Sequence, residues 1–486
     1  MQPSDPPIPP APAPLRPERA PPPVSGATPA EPLPGADPAL RRRALLGAAS
    51  ALALGACAAQ RGRPGAPAVA PASGAEAGAR RAERLADLRD DGPALPGIDA
   101  QDRSARRARL ARALAERGLD AYLCEPGPTM TYLAGVSWGR SERLFALVVT
   151  ADGGAFWIVP AFEETKARHG IDGTAAAPGP GGDVVTWRED EYAFRPLCDA
   201  LRARGVKRLA IDPGFRFGFV DRIAQAARAD AGFGALAEHG AIVSGADVLV
   251  RLRGCKEPKE LALLRRANEL TKRALERIAH ELRPGQRGAD VGALVATAHE
   301  RLGFSGSWCL PLVGAAAALP HGDAGATPLA DGEVLLVDCG GAWRGYQSDV
   351  TRTWVPFGAP SADVERAWRD VRDAQRAAFD AIRPGVPCRA VDAAARAAIA
   401  ARGWPGGFGV FTHRLGHGIG LEGHEDPYFD GGSQVELESG MTLSNEPGIY
   451  LPGRFGVRIE DVIVVTRDGA DVFGAWQSGL RSPAGA

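Results

Sequence analysis

One segment of the chain recurs further along, and this internal repeat constrains the fold most. The segment that begins at Leu282, LRPGQRGADVGALVATAHERLGF, parallels the segment that begins at Ile382, IRPGVPCRAVDAAARAAIAARGW. DGEVLLVDCG likewise parallels SGMTLSNEPG, which aligns Asp338 with Glu446. Each copy predicts a helix-turn-helix unit followed by a strand that ends on an acidic residue. The repeat therefore predicts a domain with two related halves, although a similarity this faint also arises by coincidence.

Length, charge and cysteine content limit the class of protein. The 486 residues predict about two to three domains, each large enough to bury a core. With 57 basic and 58 acidic residues, the overall charge gives no attraction for a polyanion. We therefore predict no nucleic-acid partner, which leaves small or zwitterionic ligands open. The seven cysteines are scattered without a CxxC pair, which argues against a zinc ribbon or a disulfide scaffold.

The N-terminus has the composition of an export region. The first forty residues hold 15 of the 41 prolines and few large apolar side chains, and they predict disorder. Arg41 to Arg43 then precede the apolar residues 44–56, a run too short to span a bilayer but suited to a signal peptide. The pattern resembles a twin-arginine signal, and LGAC resembles a lipoprotein cleavage box that would place a lipid anchor on Cys57. We predict that residues 1–57 direct the protein to the periplasm or to the extracytoplasmic membrane surface; the alternative is an alanine-rich spacer in a cytosolic protein.

Periodicity divides the rest of the chain into a linker and two folded parts. Residues 58–97 are rich in Ala, Gly, Pro and Arg and predict a linker. After them, RSARRARLARALAERGLDAYLC predicts a helix and a strand, and RLFALVVTADGGAFWIVP predicts two strands around a turn. These patterns indicate an α/β domain over residues 98–247. A long amphipathic helix that starts at Pro258 opens the last part, residues 248–486.

Four acidic residues occur in matching strand contexts of the last part. VLLVDCGGAWRGYQSDVTRTW predicts a hairpin that carries Asp338 and Asp349 on one side. Glu446 ends a strand, and Glu460 shares one face of the final strand with Arg458. Acids at the ends of buried strands are costly unless a cation joins them. The alternatives are an exposed hairpin with ordinary surface acids and, for the final strand, a simple ion pair.

The stretch HRLGHGIGLEGHE adds three of the eight histidines. His413 and His417 are four residues apart, as in helical zinc proteases, but no glutamate follows the first, and each glycine costs a helix about 1 kcal/mol. A strand or tight loop is therefore predicted, from which one imidazole can join the four carboxylates. Such oxygen-rich donors suit a dinuclear site for Mn²⁺, Co²⁺ or Zn²⁺. His321, His413 and His424 remain for hydrogen bonding or proton transfer, although a lone His321 is more often structural.

These acids and one histidine, with their flanks, resemble the metal ligands of a known family. VDCGG, SDVTRT, GHGIGL, NEPGIY and RIED are similar to the ligand motifs of the pita-bread metallopeptidases, which include aminopeptidase P, prolidase and creatinase. The resemblance covers residues 98–473. It implies a creatinase-like N-terminal α/β domain followed by a pita-bread catalytic domain, whose duplicated halves surround a curved antiparallel sheet. It also implies a homodimer or homotetramer.

The resemblance assigns a role to each metal ligand. Asp338 would chelate one metal, Asp349 and Glu460 would bridge both, and His417 and Glu446 would complete the other. The implied cofactor is a pair of divalent ions, Mn²⁺ first, with Co²⁺ or Zn²⁺ as alternatives. Two such ions roughly 3.5 to 4 Å apart hold a bridging hydroxide and polarise a peptide carbonyl.

The resemblance also implies the catalytic residues and the reaction. Glu446 would transfer the proton, His321 and His424 would donate to the oxyanion, His413 would line the pocket, and Arg458 would lie beside the site. The expected enzyme is a metallo-exopeptidase that hydrolyses the Xaa-Pro bond of small peptides, as an Xaa-Pro aminopeptidase or an Xaa-Pro dipeptidase. The alternatives are a creatinase-like or ectoine-hydrolase-like C–N hydrolase of a non-peptide substrate and an inactive binding module.

Overall fold

The computed structural model describes residues 74–173, 183–229, 234–323 and 325–485. These residues belong to one compact unit. The predicted export signal, Cys57 and the first part of the predicted linker lie outside the described residues. Among the helices of the described part, none is both long enough and apolar enough to cross a membrane.

The secondary structure follows the predicted periodicities. The helices are α1 (Gly74–Arg84), α2 (Ala100–Glu116), α3 (Pro128–Ala134), α4 (Glu164–Gly173), α5 (Phe194–Ala203), α6 (Phe217–Ala229), α7 (Gly234–Ala237), α8 (Ala246–Gly254), α9 (Pro258–Ala279), α10 (Gly288–Arg301), α11 (Ala362–Ala381) and α12 (Cys388–Ala401). The strands are β1 (Ala121–Cys124), β2 (Ala146–Thr150), β3 (Ala155–Pro160), β4 (Asp183–Trp187), β5 (Leu209–Ile211), β6 (Ile242–Ser244), β7 (Phe304–Val313), β8 (Leu335–Trp343), β9 (Tyr346–Trp354), β10 (Gly416–Gly418), β11 (Glu425–Phe429), β12 (Thr442–Asn445), β13 (Gly448–Leu451), β14 (Phe455–Arg458), β15 (Asp461–Val465), β16 (Ala470–Val472), β17 (Gln477–Gly479) and β18 (Ser482–Gly485). The long helix predicted from Pro258 begins at that residue.

The first folded part contains a mixed sheet with strand order β4-β3-β2-β1-β5-β6. Its two central pairs β1–β2 and β2–β3 are antiparallel, and the outer pairs are parallel. The predicted hairpin between β2 and β3 is confirmed. Along β1, Ala121 and Leu123 belong to one buried cluster, whereas Tyr122 and Cys124 belong to another. Because both faces are covered, these strands are apolar throughout rather than alternating.

The second folded part packs antiparallel sheets between two helix pairs. Strands β7-β8-β9 form one sheet and β11-β10-β12-β15-β16 form another. Leu336 and Ile463 face the core cluster of α11 and α12. Val337 and Val462 face the cluster of α9 and α10, so alternate strand residues serve opposite faces. The predicted α/β architecture, with antiparallel sheets in its second part, is confirmed.

The two copies of the sequence repeat have the same local structure. Helices α10 and α12 are each 14 residues long and follow the two Pro-Gly turns. Gly285 (φ 87°) donates its N–H to the Leu329 carbonyl at 2.8 Å, and Gly385 (φ 83°) donates to the Leu437 carbonyl at 2.9 Å. Both turns need the left-handed conformation that glycine adopts without strain. The predicted duplication is therefore a real structural repeat.

The described end of the predicted linker is packed against the fold. Leu85 is fully buried and Leu88 is 4% exposed, and both belong to the core cluster of α9 and α10. Arg277 on α9 donates to the Asp87 carboxylate at 2.9 Å. The composition of this segment predicts a linker, but two leucines three residues apart directly after α1 pack into the core and bury it.

Candidate metal centre

The β8–β9 hairpin carries the first two acidic residues. Its turn consists of Arg344 and Gly345, both with positive φ (51° and 88°), which is the type I′ geometry of tight hairpins. The strand register places Asp338 opposite Thr351. Asp349 lies two residues from Thr351 on β9, so the two carboxylates emerge on the same side, as predicted.

His417 lies on the short strand β10 between β11 and β12. A Cβ on Gly416 would lie 2.0 Å from the Ser444 carbonyl oxygen, and one on Gly418 would lie 2.4 Å from the Glu425 carbonyl oxygen. Only glycines allow this approach, which holds His417 against its neighbours. The backbone N–H of His417 donates to Ser444 Oγ at 2.9 Å. The expectation that this stretch is not a zinc-protease helix is confirmed.

The prediction of one continuous final strand is wrong. Strand β14 ends at Arg458, and β15 begins at Asp461 in a different sheet. Thr353 interrupts the strand, because its Oγ1 donates to the Arg458 carbonyl at 2.7 Å and accepts from the Arg458 N–H at 3.2 Å. In the gap, the Glu460 N–H donates to the Thr351 carbonyl at 3.0 Å. Arg458 and Glu460 nevertheless reach the same cavity.

All nine predicted site residues line one cavity of about 560 Å³. His417 Nε2 lies 3.4 Å from Glu446 Oε1, 3.6 Å from Asp349 Oδ2 and 4.0 Å from Glu460 Oε1. Ligand atoms of Asp338, Asp349 and Glu460 lie within 4.8 Å of one another, as do those of His417, Glu446 and Glu460. Five donors from four separate chain segments therefore converge within coordination distance.

The electrostatics of these donors are unfavourable without a cation. Burial and the neighbouring carboxylates raise the pKa of Asp349 and of Glu460 well above their ordinary values. Burial also raises the pKa of Glu446 to about 8, with Asp338 adding to the effect, and lowers the pKa of His417 to about 3. Each shift disfavours the charged form of the group. A bound cation removes this cost.

The donor set fits divalent metal ions. The Asp338 Oδ2 atom accepts from Arg458 at 2.7 Å, but its buried Oδ1 atom has no hydrogen-bond partner. Buried carboxylate oxygens rarely lack a partner, so this atom is available to coordinate a cation. Four carboxylates with one imidazole are hard donors, which suit Mn²⁺, Co²⁺ or Zn²⁺.

Neighbouring polar groups hold the candidate ligands in position. Asn268 Oδ1 accepts the Asp349 N–H at 3.1 Å, and Thr351 Oγ1 donates to Glu460 Oε2 at 2.7 Å. Ser444 Oγ is 3.1 Å from Glu446 Oε1. Groups of this kind fix the orientation of metal ligands. Except for their proximity to the acids in sequence, the threonine and serine have no pattern that identifies them.

His413 is held by protein atoms at both ring nitrogens. Its Nδ1 is 2.7 Å from the Arg414 carbonyl and therefore donates, so its Nε2 accepts from the Tyr450 hydroxyl at 2.7 Å. Arg458 in turn donates to that hydroxyl at 3.0 Å. Burial and the Arg458 charge lower the pKa of His413 to about 3. Sequence analysis missed Tyr450, which the motif NEPGIY contains.

His321 and His424 are the exposed histidines of the cavity. Within the described residues, their ring nitrogens have no hydrogen-bond partner, which leaves them available to a substrate. The His424 ring lies 3.8 Å from that of His417, and its nitrogen is within 4.8 Å of donors on Asp349 and His417. Sequence analysis also missed three other lining residues: Trp308, Leu310 and Arg414.

Comparison with protein families identifies both folded parts. Residues 262–467 match the profile of metallopeptidase family M24. Residues 106–243 match the profile of the creatinase/prolidase N-terminal domain. The two matches together span the first sheet and the cavity that contains the candidate metal ligands.

Individual proteins of known sequence or structure are similar to most of this chain. A probable dipeptidase PepE of Mycobacterium tuberculosis is 37% identical over 381 residues, which are 77% of this chain and 94% of the relative. The crystal structure of dipeptidase PepE from Mycobacterium ulcerans is 34% identical, with a TM-score of 0.70 over 78% of this chain and 97% of that chain. The Xaa-Pro dipeptidase from Bacillus anthracis is 27% identical, with a TM-score of 0.63 over 76% of this chain and 97% of that chain. This chain therefore belongs to metallopeptidase family M24 and has the creatinase/prolidase-type N-terminal domain.

Proposed function

We propose that this protein is a dinuclear-metal exopeptidase that hydrolyses the bond between an N-terminal residue and a following proline. The observation that carries the proposal is the convergence of four carboxylates and one imidazole in a single cavity. The solved relatives described as dipeptidase and Xaa-Pro dipeptidase support a short peptide substrate. Mn²⁺ is the proposed metal, with Co²⁺ or Zn²⁺ as alternatives.

The five donors would divide between two metal positions. Asp338 would hold one ion, Asp349 and Glu460 both ions, and His417 and Glu446 the other. When bound, divalent ions at such a site lower the pKa of a water molecule and polarise the peptide carbonyl. The packing of Asn268, Thr351 and Ser444 keeps the donor atoms oriented for this purpose.

The proton is moved by Glu446. Its Oε1 atom accepts a hydrogen bond from Ser444, whereas its Oε2 atom has no hydrogen bond within the described part of the chain and lies 3.9 Å from His413 Nδ1. The Oε2 atom can therefore accept a proton from the attacking water and pass it to the leaving nitrogen. His321 and His424 have free ring nitrogens that can donate to the developing oxyanion. Losing one such donor typically costs about 100- to 1,000-fold in kcat.

An apolar wall suits the proline ring. Trp308 is 38% exposed at the cavity, and Leu310 lies two residues further along the same face of β7. Arg458, Tyr450 and His413 form a hydrogen-bonded row beside the metal ligands. A pyrrolidine ring, which lacks an N–H, loses no hydrogen bond when it packs against the apolar side chains of Trp308 and Leu310.

A substrate panel tests the proposal. We expect the Mn²⁺-loaded enzyme to cleave Ala-Pro, Ala-Pro-Ala or both. We expect it to cleave Ala-Ala at least about ten-fold more slowly, because a hydrophobic pocket discriminates by about that factor against a substrate that lacks a methylene group. The measurement is kcat/KM for each peptide, with creatine and N-acetyl-diamines in the same assay. Cleavage of creatine or a diamine without any Xaa-Pro hydrolysis would refute the peptidase proposal.

We also propose that the protein acts outside the cytoplasm. The support is the run of arginines and small apolar residues before Cys57, which resembles a twin-arginine signal with a lipoprotein cleavage box. Cell fractionation of the full chain and of a variant with Arg41, Arg42 and Arg43 replaced by lysine is the test. We expect the variant to remain in the cytoplasm as uncleaved precursor. Equal export of both forms contradicts the twin-arginine route.

A further inference from the structure

Arg414 lines the metal cavity and forms no ion pair with any carboxylate of the described residues. It lies between His413 and the strand that carries His417, and its side chain is exposed. Its guanidinium lies over the Tyr428 ring, 4.5 Å from the centroid. No carboxylate of the described residues forms an ion pair with it, and no carbonyl of those residues accepts a hydrogen bond from it. A guanidinium at the wall of a peptide-cleaving cavity therefore has five unused donors.

The other arginine of the described cavity uses four of its five N–H donors within the protein. Arg458 donates to Asp338 Oδ2 at 2.7 Å and to the Tyr450 hydroxyl at 3.0 Å. It also donates to Thr351 Oγ1 at 3.2 Å and to the Pro320 carbonyl at 3.3 Å. Arg458 is 2% exposed, whereas Arg414 is exposed, so an anionic group of the substrate reaches Arg414 more easily. Arg414 can bind such a group without losing a protein contact.

The contact with Tyr428 restricts the Arg414 side chain. A guanidinium over an aromatic face is held by a cation–π interaction, while its N–H groups remain available. Two parallel N–H groups then fit the two oxygens of one carboxylate. Because the side chain is already restricted, binding a carboxylate costs less rotamer entropy than it would for a free arginine.

The arginines of the neighbouring cavity already form hydrogen bonds with the protein. That cavity, of about 520 Å³, shares His424 with the metal cavity and is lined by Tyr428 and Asp426. Its arginines are engaged: Arg253 donates to Glu422 and Glu425, and Arg140 donates to the Pro126 and Gly214 carbonyls. Of the arginines that line the two cavities in the described part, Arg414 is therefore the one without a hydrogen bond or an ion pair to the protein.

We propose that Arg414 is a specificity-determining residue that binds a carboxylate of the substrate, and that this carboxylate is the free C-terminus of a dipeptide. The inference rests on the proposed peptidase function and decides between its two forms, an Xaa-Pro dipeptidase and an Xaa-Pro aminopeptidase. Only in a dipeptide does the residue directly after the cleaved bond carry the free C-terminal carboxylate. The site then favours Xaa-Pro dipeptides over longer peptides.

The test compares an acid with its amide. Wild type and Arg414→Gln, both loaded with Mn²⁺, are assayed on Ala-Pro and on Ala-Pro-NH2, which lacks the terminal charge. We expect the wild-type preference for the acid, as a ratio of kcat/KM values, to fall about 10- to 100-fold in the variant, mainly through KM, since a charged hydrogen-bonded pair is lost. Arg414→Lys should recover part of the ratio. The matched control is Arg372→Gln, an arginine over the Trp368 ring away from the cavity, which should leave the ratio unchanged.

Separate outcomes distinguish the possible failures. An unchanged acid-to-amide ratio in Arg414→Gln overturns the inference. Selective loss on Glu-Pro-NH2 relative to Ala-Pro-NH2 overturns the assignment to the C-terminus, because the carboxylate is then an acidic side chain. If wild type cleaves Ala-Pro-Ala but not Ala-Pro, the inference is overturned and the proposed function stands; if it cleaves neither of these peptides, the proposed function fails. Calorimetry with the uncleaved acid and amide then measures the same ratio as dissociation constants, and equal ratios in wild type and variant overturn the inference.

Discussion

We expect that replacing Asp349 with alanine will abolish metal binding and peptidase activity together. The side chain is buried, 3.6 Å from His417 Nε2, and belongs to the same ligand group as Asp338 and Glu460. As a proposed ligand of both ions, it has no substitute among its neighbours. We expect metal content to fall from about two ions per chain, and kcat/KM to fall by at least about 1,000-fold. Elemental analysis and Ala-Pro hydrolysis measure the two effects.

Thermal unfolding separates loss of metal from loss of fold. Mn²⁺ at about 100 times its dissociation constant should stabilise the chelator-treated wild type by about 2.7 kcal/mol but should not stabilise Asp349→Ala. Asp370→Ala is the matched control, because Asp370 is also buried but accepts from Trp404 outside the cavity. This control should retain metal binding even if it is less stable. Full metal content in Asp349→Ala would refute the proposed site.

We expect that replacing Asp461 with alanine will lower the free energy of unfolding of the metal-free protein by about 3 to 5 kcal/mol. Its Oδ1 atom is 2.5 Å from Lys272 Nζ and 2.7 Å from Arg352, and all three side chains are buried. Burial opposes ionisation of Asp461, but the two cations outweigh it and hold its pKa below the ordinary value. Removing this carboxylate leaves two buried cations without their anion.

Asp471→Ala is the matched control for Asp461→Ala. Asp471 lies on β16 and pairs with Arg265 of the same helix, α9, that carries Lys272. Because this pair is exposed, its loss should cost no more than about 1 kcal/mol. Urea unfolding in the presence of a chelator measures both variants without a contribution from bound metal. Equal destabilisation of the two variants would show that the buried network does not contribute as described.

The secondary structure of the catalytic part was predictable because its patterns are local. The start of α9 at Pro258, the β8–β9 hairpin and the Pro-Gly turns of the repeat depend on residues close together in sequence. The break between Arg458 and Asp461 was not predictable. The break depends on Thr353, which is more than a hundred residues away. Its hydroxyl forms hydrogen bonds with the backbone of Arg458 in place of a neighbouring strand.

The same distinction applies to the site. Residue types and short flanking motifs were sufficient to identify an oxygen-rich donor set with one histidine, because carboxylates and imidazole have metal preferences in any fold. They did not distinguish Arg458, whose guanidinium is engaged, from Arg414, whose guanidinium is open. They also did not show that the Tyr450 hydroxyl donates a hydrogen bond to Nε2 of His413.

The sequence was therefore sufficient to predict which side chains can bind a metal, but it was not sufficient to predict how those side chains are arranged in space. Which residues can hold a divalent ion follows from their side chains and local context. Whether those donors lie within 4.8 Å of one another depends on how segments separated by more than a hundred residues pack together. Packing between remote segments also decides which charges are already paired, and so which arginine can bind a substrate.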